Sequence, residues 1–300
     1  MHKSGFVSIV GRPNSGKSTL LNTLVGTKLA IVADRPQTTR TSIQGVWTTP
    51  ETQVVFLDTP GIHKPDSTFN RRMMREVRGA LEDRDLLLYV VDATEPFSAA
   101  DQEALHSLGK VATPTLLLLN KVDRLKDKGQ ILVLIDKYRG MSDFAEYLPV
   151  SALKNVGLDQ VRKAVVERLP EGPAYFPEDH VTDQPERFMA AELIREKIIR
   201  ETREEVPHAV AVLIDNWEET PKITRIAATI YVEREGQKGI LIGSKGSMLK
   251  QVGTRARQDM ERLLDRKIYL ELLVKVRPNW RENQTFLNEI DWRTMAGGDV

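Results

Sequence analysis

"GRPNSGKST", Gly11–Thr19, stands between the apolar run "FVSIVG" that starts at Phe6 and a stretch of helical spacing, Lys17–Val25. The pattern is G-x-x-x-x-G-K-[ST]. Gly11 and Gly16 let successive backbone N–H groups turn inward, where they cradle phosphate oxygens. Lys17 reaches the outer phosphates, and the Ser18 hydroxyl lies where it would ligate Mg²⁺. Asn14, Ser15 and Thr19 complete the wall of the cradle. The helix that begins at Lys17 turns its positive end toward the same anion.

Working outward, four more apolar runs follow: "QVVFLD" from Gln53, "DLLLYVVDA" from Asp85, "PTLLLLNKVD" from Pro114 and "YLPVSA" from Tyr147. They are continuous, as expected of parallel strands covered on both faces. Helix-like stretches at Phe69–Glu82, Ala100–Leu108, Gln130–Tyr138 and Leu158–Leu169 separate them. This alternation predicts a three-layer α/β domain with a mostly parallel sheet, which binds ligands at the carboxyl ends of its strands. Two further motifs fall there. In "DTPG", Asp58 is placed to hold a metal through a water and the Gly61 N–H to meet a terminal phosphate. In "NKVD", Asn120, Lys121 and Asp123 end a buried strand. A carboxylate at Asp123 accepts from both N1–H and N2–H₂ of guanine, whereas adenine offers no matching donors, so the motif selects GTP over ATP. "SAL", Ser151, Ala152 and Leu153, follows the last strand and can offer a backbone N–H to guanine O6.

In the order GRPNSGKS, PQTTRTS, DTPG, NKVD and SAL, the chain resembles the translation-factor-related P-loop GTPases, and most of all the Era family. The resemblance implies hydrolysis of GTP to GDP with Mg²⁺. It makes the loop around Thr38–Thr41 a switch, with Thr39 as metal ligand and Thr38 as the alternative. Lys17, Thr39 and Gly61 then take the catalytic positions. Ras-like enzymes orient the attacking water with a glutamine after the D-x-x-G glycine, but Ile62 stands there in this chain. Either the protein hydrolyses slowly or another group, His63 or a monovalent cation, supplies what is missing; the other reading of His63 is a solvated loop residue. In relatives with asparagine at the place of Asn14, that side chain can hold K⁺ against the phosphates; the other reading is a cap on the loop's own backbone.

After Leu169 comes "PEGPAYFPEDHVTDQP", rich in proline and without hydrophobic period, which puts a domain boundary between residues 177 and 178. Beyond it the sequence predicts one helix with Pro185 in its first turn and Pro207 just beyond its end, two strands, an apolar half-turn at Gly239–Ile242, a helix over Ser247–Leu264 and a third strand, "KIYLELLVKVRP". The charges of Glu192–Glu205 read as a solvated helix face. "GILIGSKGSMLKQVGTRAR", from Gly239, sets two glycines around Ser244 and Lys245, with five basic residues and no carboxylate between Lys238 and Arg257. By itself this is either a tight helix–turn–helix corner or a place where an anion lies against backbone. The order α-β-β-α-α-β with G-x-x-G between the last two helices resembles a type II KH domain. That resemblance implies a clamp on single-stranded RNA. Gly243 and Gly246 would admit the backbone, Lys245 would meet phosphate, and Ile240, Leu241 and Ile242 would floor the bases. Lys250, Arg255 and Arg257 would extend the charge. Twenty basic and twenty acidic residues from Val181 onward make this a stripe, favouring a single strand over duplex DNA. Trp280 and Trp292 either brace the groove, stack on bases or pack in a core.

The whole chain, at 300 residues with 43 Lys and Arg against 42 Asp and Glu, has ordinary globular composition and no Cys, which excludes disulfides and thiolate metal sites. No apolar run approaches a membrane-spanning length. The layout resembles Era GTPases, and implies a cytoplasmic, monomeric factor for 30S subunit maturation. It would bind the 16S rRNA 3′ end but no DNA, with peripheral contact at the inner membrane. The alternative is a nucleotide-switched adaptor whose KH-like half binds protein.

Overall fold

The computed structural model describes residues 2–33, 35, 38–63, 67–108, 112–202 and 206–295. Two compact units divide the chain: Met1–Ala30, Thr39–Asp66 and Asn70–Asp183 form the first, and Ile31–Thr38, Ser67–Phe69 and Gln184–Val300 the second.

In the first unit, strands β1 (Lys3–Val10), β2 (Ile43–Thr49), β3 (Thr52–Asp58), β4 (Leu86–Asp92), β5 (Thr115–Asn120) and β6 (Glu146–Pro149) form one sheet in the order β2-β3-β1-β4-β5-β6. Every neighbouring pair is parallel except β2–β3. Helices α1 (Lys17–Val25), α2 (Thr68–Gly79), α3 (Ala99–Leu108), α4 (Gly129–Arg139) and α5 (Leu158–Arg168) connect the strands. Leu86 to Val91 are buried at every position, which is why β4 reads as an unbroken apolar run rather than an alternating one. β2 was not foreseen, and Gly45 at its middle shows why. A Cβ there would press within 2.8–3.1 Å of Leu29, Val25 and Leu21, so the residue that lets the strand pack also weakens its apolar pattern.

The Pro-rich stretch belongs with this first unit further than residue 177. Gln53 Oε1 accepts from the N–H of Tyr175 and Phe176 at 2.7 and 2.9 Å. Val46 N–H donates to Val181 O at 2.8 Å, and the Thr182 hydroxyl to Gln44 O at 2.7 Å. These bonds carry the unit to Asp183, six residues beyond the expected boundary.

The second unit contains α6 (Glu186–Glu201), α7 (Val206–Ala209), β7 (Ala211–Glu219), β8 (Thr224–Val232), α8 (Glu235–Ile242), α9 (Ser247–Leu264), β9 (Ile268–Val276), α10 (Gln284–Glu289) and α11 (Trp292–Met295). β7 pairs antiparallel with β8, and β8 parallel with β9. Ile194 and Ile198 of α6, Leu241 of α8 and Val252, Ala256 and Met260 of α9 pack with the sheet residues Ile226 and Ile230 in one core. Three expectations are corrected here. The helix predicted to Pro207 ends at Glu201, because Thr202 adopts extended backbone and its hydroxyl returns to Ile198 O at 2.6 Å. The half-turn at Gly239–Ile242 is the end of a true helix, started by Gln237 Oε1 accepting from Glu233 and Arg234 N–H at 2.9 and 3.1 Å. The charges of Glu192–Glu205 are not all solvated, for Arg195, Glu196 and Lys197 are buried. Trp280 is fully buried, donates from Nε1 to Ala209 O at 2.9 Å and meets Phe286 edge-on, so it is a core residue rather than a platform for bases.

Candidate functional site

The loop between β1 and α1 is held by what surrounds it. Gly16 has φ +96°, and a Cβ there would strike Asn120 Nδ2, so the position admits only glycine. Lys17 folds back within the loop and donates to Gly11 O and Arg12 O at 3.1 and 2.8 Å. Ile62 N–H donates to Gly11 O at 3.0 Å, tying the "DTPG" turn to the loop. The Ser15 hydroxyl donates to Arg12 O. Asn14 is exposed at φ 62°, and its side chain caps nothing among the described residues, which removes the capping reading.

Ser18 Oγ, Thr39 Oγ1 and Asp58 Oδ2 converge: Ser18–Thr39 2.7 Å, Ser18–Asp58 2.6 Å and Thr39–Asp58 3.4 Å. The other oxygen, Asp58 Oδ1, is buried with no hydrogen bond among the described residues. Two hydroxyls and a carboxylate with a spare buried oxygen form a hard-oxygen set that suits Mg²⁺. Thr38 turns away, its hydroxyl on Arg35 O at 2.6 Å, so of the two threonines Thr39 joins the cluster.

Burial pushes the Asp58 carboxyl up to about 6, with Lys17 and then Ser18 pulling it back. Burial also lowers the Lys17 ammonium to about 8, against the attraction of Asp58. The folded protein therefore holds the Asp58 proton more tightly than the unfolded chain, whose value is 3.8. Without nucleotide or metal, stability falls from this group as pH rises from about 4 to about 6. Lys17 acts oppositely, restoring stability between about 8 and 10.5 as the buried charge is shed. In urea unfolding with a chelator, Asp58→Asn gains on the native protein by about 3 kcal/mol between about pH 4 and about pH 7. An unchanged gap across that range contradicts the assignment.

On the base side, Asn120 bridges two loops, donating to Ser15 O and accepting from Ala152 N–H, each at 2.9 Å. The Ser151 hydroxyl donates to Asp123 Oδ1 at 2.5 Å and holds an otherwise exposed carboxylate. Lys121 pairs with Asp92 at 2.5 Å. Leu153 is 73% exposed beside them, while Thr19 lies half-buried in the first turns of α1, its carbonyl accepting from Thr23. Ile62 is buried in the core, packed in the same apolar cluster as Val10, Val77 and Tyr89. His63 is anchored rather than solvated: Nδ1 bonds Gly61 O at 2.7 Å, and Nε2 is buried without a partner among the described residues.

In the second unit the chain makes a single 3₁₀ turn at Ser244–Gly246 between α8 and α9. Gly243, Lys245 and Gly246 have φ of 70°, 51° and 78°. Ile240 is 54% exposed and Ile242 partly buried beside the core, but Leu241 is fully buried in it and cannot touch a base. The bare basic stripe is shorter than expected. Arg255 pairs with Glu201 of α6, and Arg257 with Glu261 at 2.9 Å, carboxylates that lie outside the window read from the sequence. Lys245 and Lys250 remain exposed, with no ion pair among the described residues.

Two family profiles match the chain, one described as 50S ribosome-binding GTPase over residues 6–121 and one as KH domain over residues 205–281. The GTPase Era of Ruminiclostridium cellulolyticum is 47% identical over 294 residues, 98% of this chain and 98% of that protein. The chain belongs to the Era GTPase family. Era of Geobacter metallireducens is 48% identical over 97% of this chain and 98% of its own length. Among solved structures, Era in complex with MgGDPNP and nucleotides 1506–1542 of 16S ribosomal RNA superposes with TM-score 0.94 at 41% identity, covering 97% of this chain and 99% of that one. A variant of Aquifex aeolicus Era bound to GDP·AlF₄⁻ gives 0.93, with the same identity and coverage.

As an Era-family GTPase the chain also uses residues that carried no motif. Asp101 accepts from Arg12 at 3.0 Å, from the Ser98 hydroxyl at 2.6 Å and from Tyr138 at 3.1 Å, bracing the phosphate loop from α3. No local signal marks it, since Arg12 and Asp101 are 89 residues apart. Asp92, the partner of Lys121, ends β4 beside Asn120 in register, and its place at the carboxyl end of a buried strand was a usable signal.

Proposed function

We propose that this GTPase binds the 3′ end of 16S ribosomal RNA through the Gly243–Gly246 loop and acts in 30S subunit maturation, with its nucleotide state altering RNA binding. The observation that carries the reading is one chain holding both a Ser18–Thr39–Asp58 cluster and a G-x-x-G loop in which Lys245 is exposed, with Lys250 exposed on the helix that follows, neither in an ion pair among the described residues. The crystal structure of a relative with MgGDPNP and that RNA supports it.

In this reading the loop N–H groups from Asn14 to Lys17 and the Lys17 ammonium receive the phosphates. Ser18, Thr39 and Asp58 would hold Mg²⁺. When bound, the ion neutralises charge on the phosphate oxygens. Gly61 offers its N–H to the terminal phosphate, while Asp123 and the Ser151–Leu153 loop receive guanine. With Ile62 in the core, Asn14 would hold a K⁺ ion, which would supply positive charge beside the phosphates. Hydrolysis is then several-fold faster in potassium than in sodium chloride at equal ionic strength, and equal rates remove the cation. We place the protein in the cytoplasm as a monomer, with peripheral membrane contact; among the described residues no helix is long and apolar enough to cross a membrane.

The test is binding of an oligonucleotide copying the rRNA 3′ tail, against a scrambled one, with GDP and with a non-hydrolysable GTP analogue. Selective binding that differs between nucleotides is expected. Equal binding to both sequences in both states would leave a GTPase whose second unit serves a protein partner.

A further inference from the structure

Asp92 ends β4 in register with Asn120 at the end of β5, and the main chain joins the two strand ends, Ala93 N–H donating to Asn120 O at 2.8 Å. The Asp92 carboxylate is seated on its own loop. Oδ1 accepts from the Thr94 N–H at 3.0 Å and from the Thr94 hydroxyl at 2.6 Å. Oδ2 is left for Lys121 Nζ, which donates to it at 2.5 Å. The two side chains are only 17% and 21% exposed, so salt screens the pair less than one at the surface. Lys121 has φ 68° and ψ 29°, the left-handed region, where a residue with a Cβ stays only if its surroundings hold it. It turns the chain from β5 into a single 3₁₀ turn, Val122–Arg124, and the Arg124 N–H closes on Lys121 O at 2.9 Å. On one side of this corner, Asn120 bridges the phosphate loop and the Ser151–Leu153 loop. On the other side, Asp123 carries the carboxylate that receives guanine. The Ser151 hydroxyl holds one oxygen of Asp123, whereas guanine needs both, so the direction of the carboxylate depends on the corner behind it.

We propose that Asp92, seated by Thr94, is a positioning residue for guanine recognition. It anchors the Lys121 ammonium, holds the left-handed corner between Asn120 and Asp123, and so aims the Asp123 carboxylate at both donors of the base. Asp92 acts through Lys121 rather than on the base. This rests on Asp123 receiving guanine, and the variants below separate the two ideas.

The experiment measures GDP and IDP affinity of the full chain in EDTA, by displacement of a fluorescent GDP, so that neither metal nor hydrolysis enters. IDP lacks the 2-amino group, and the GDP-to-IDP ratio therefore reads whether Asp123 meets both donors. Asp92→Asn has one carbonyl oxygen for Thr94 and Lys121 together and no charge. It lowers GDP affinity about tenfold and the ratio about fivefold, the size of a weakened charge-assisted bond. Asp92→Ser can still accept from the Thr94 N–H but is too short and uncharged to hold Lys121. It shifts the ratio in the same direction and carries the test where the asparagine variant does not fold. A general loss of stability or of negative charge would move GDP and IDP alike and leave the ratio. In the Lys121→Met background Asp92→Asn adds nothing. A ratio unchanged in both Asp92 variants overturns the inference, as does an undiminished Asp92→Asn effect in that background. A native ratio in Asp123→Asn overturns the base assignment and the inference together.

Discussion

Asp123→Asn lowers GTP affinity by roughly a hundred- to ten-thousandfold and brings XTP to or above it. Two charge-assisted hydrogen bonds from guanine are lost, at about 1.5–3 kcal/mol each, and the asparagine amide sets donor against donor. Xanthine presents a carbonyl where guanine has its amino group, so the amide finds an acceptor. Only the base side should respond. Ser151 can still donate to the asparagine carbonyl as it does to Asp123 Oδ1, and the Asn120 bridge between Ser15 and Ala152 does not involve the changed side chain. Competition of GTP and XTP against a fluorescent nucleotide reads both affinities. A variant that keeps its preference for GTP would remove Asp123 from base recognition.

Gly246→Asp reduces affinity for the rRNA 3′-tail oligonucleotide by about five- to several-hundredfold and leaves GTP hydrolysis without RNA unchanged. The new carboxylate repels a nearby phosphate by about 1–4 kcal/mol, depending on solvent screening. Gly246 is the cleaner of the two loop positions. No atom lies within 4 Å of where its Cβ would stand, and its φ of +78° costs aspartate about 1 kcal/mol. At Gly243 the Cβ would come within 2.8 Å of Met248 Cβ and 2.9 Å of Met248 N, so a substitution there disturbs the start of α9 as well as the loop. Anisotropy with matched and scrambled oligonucleotides, beside a melting curve, separates the two effects. Retained binding by a folded Gly246→Asp protein would exclude the loop from the RNA interface.

Contiguous chemistry was the most legible in the sequence. The phosphate loop, "DTPG" and "NKVD" each compress a turn and its polar groups into a few residues, and α9 was bounded by Gly246 before it and the end of its apolar spacing at Leu264. What escaped depends on partners far along the chain. The Arg195–Lys197 run looks like any solvated charged face because Val32 and Thr38 lie more than 150 residues away. Arg255 and Arg257 looked bare because Glu201 and Glu261 fall outside the window. The choice between Thr38 and Thr39 needed the direction of two side chains, which sequence order does not carry.

The Pro-rich stretch after α5 also has a consequence for solubility. β2 is the outer strand of its sheet, and an outer strand offers unpaired N–H and C=O groups to any other strand that drifts by. Val181 O covers the Val46 N–H and the Thr182 hydroxyl covers Gln44 O, so part of that row is closed from within the chain. A first unit ended at residue 177 would keep its phosphate loop but open this row, inviting edge-to-edge aggregation. The same unit carried to Asp183 would retain its own selvedge.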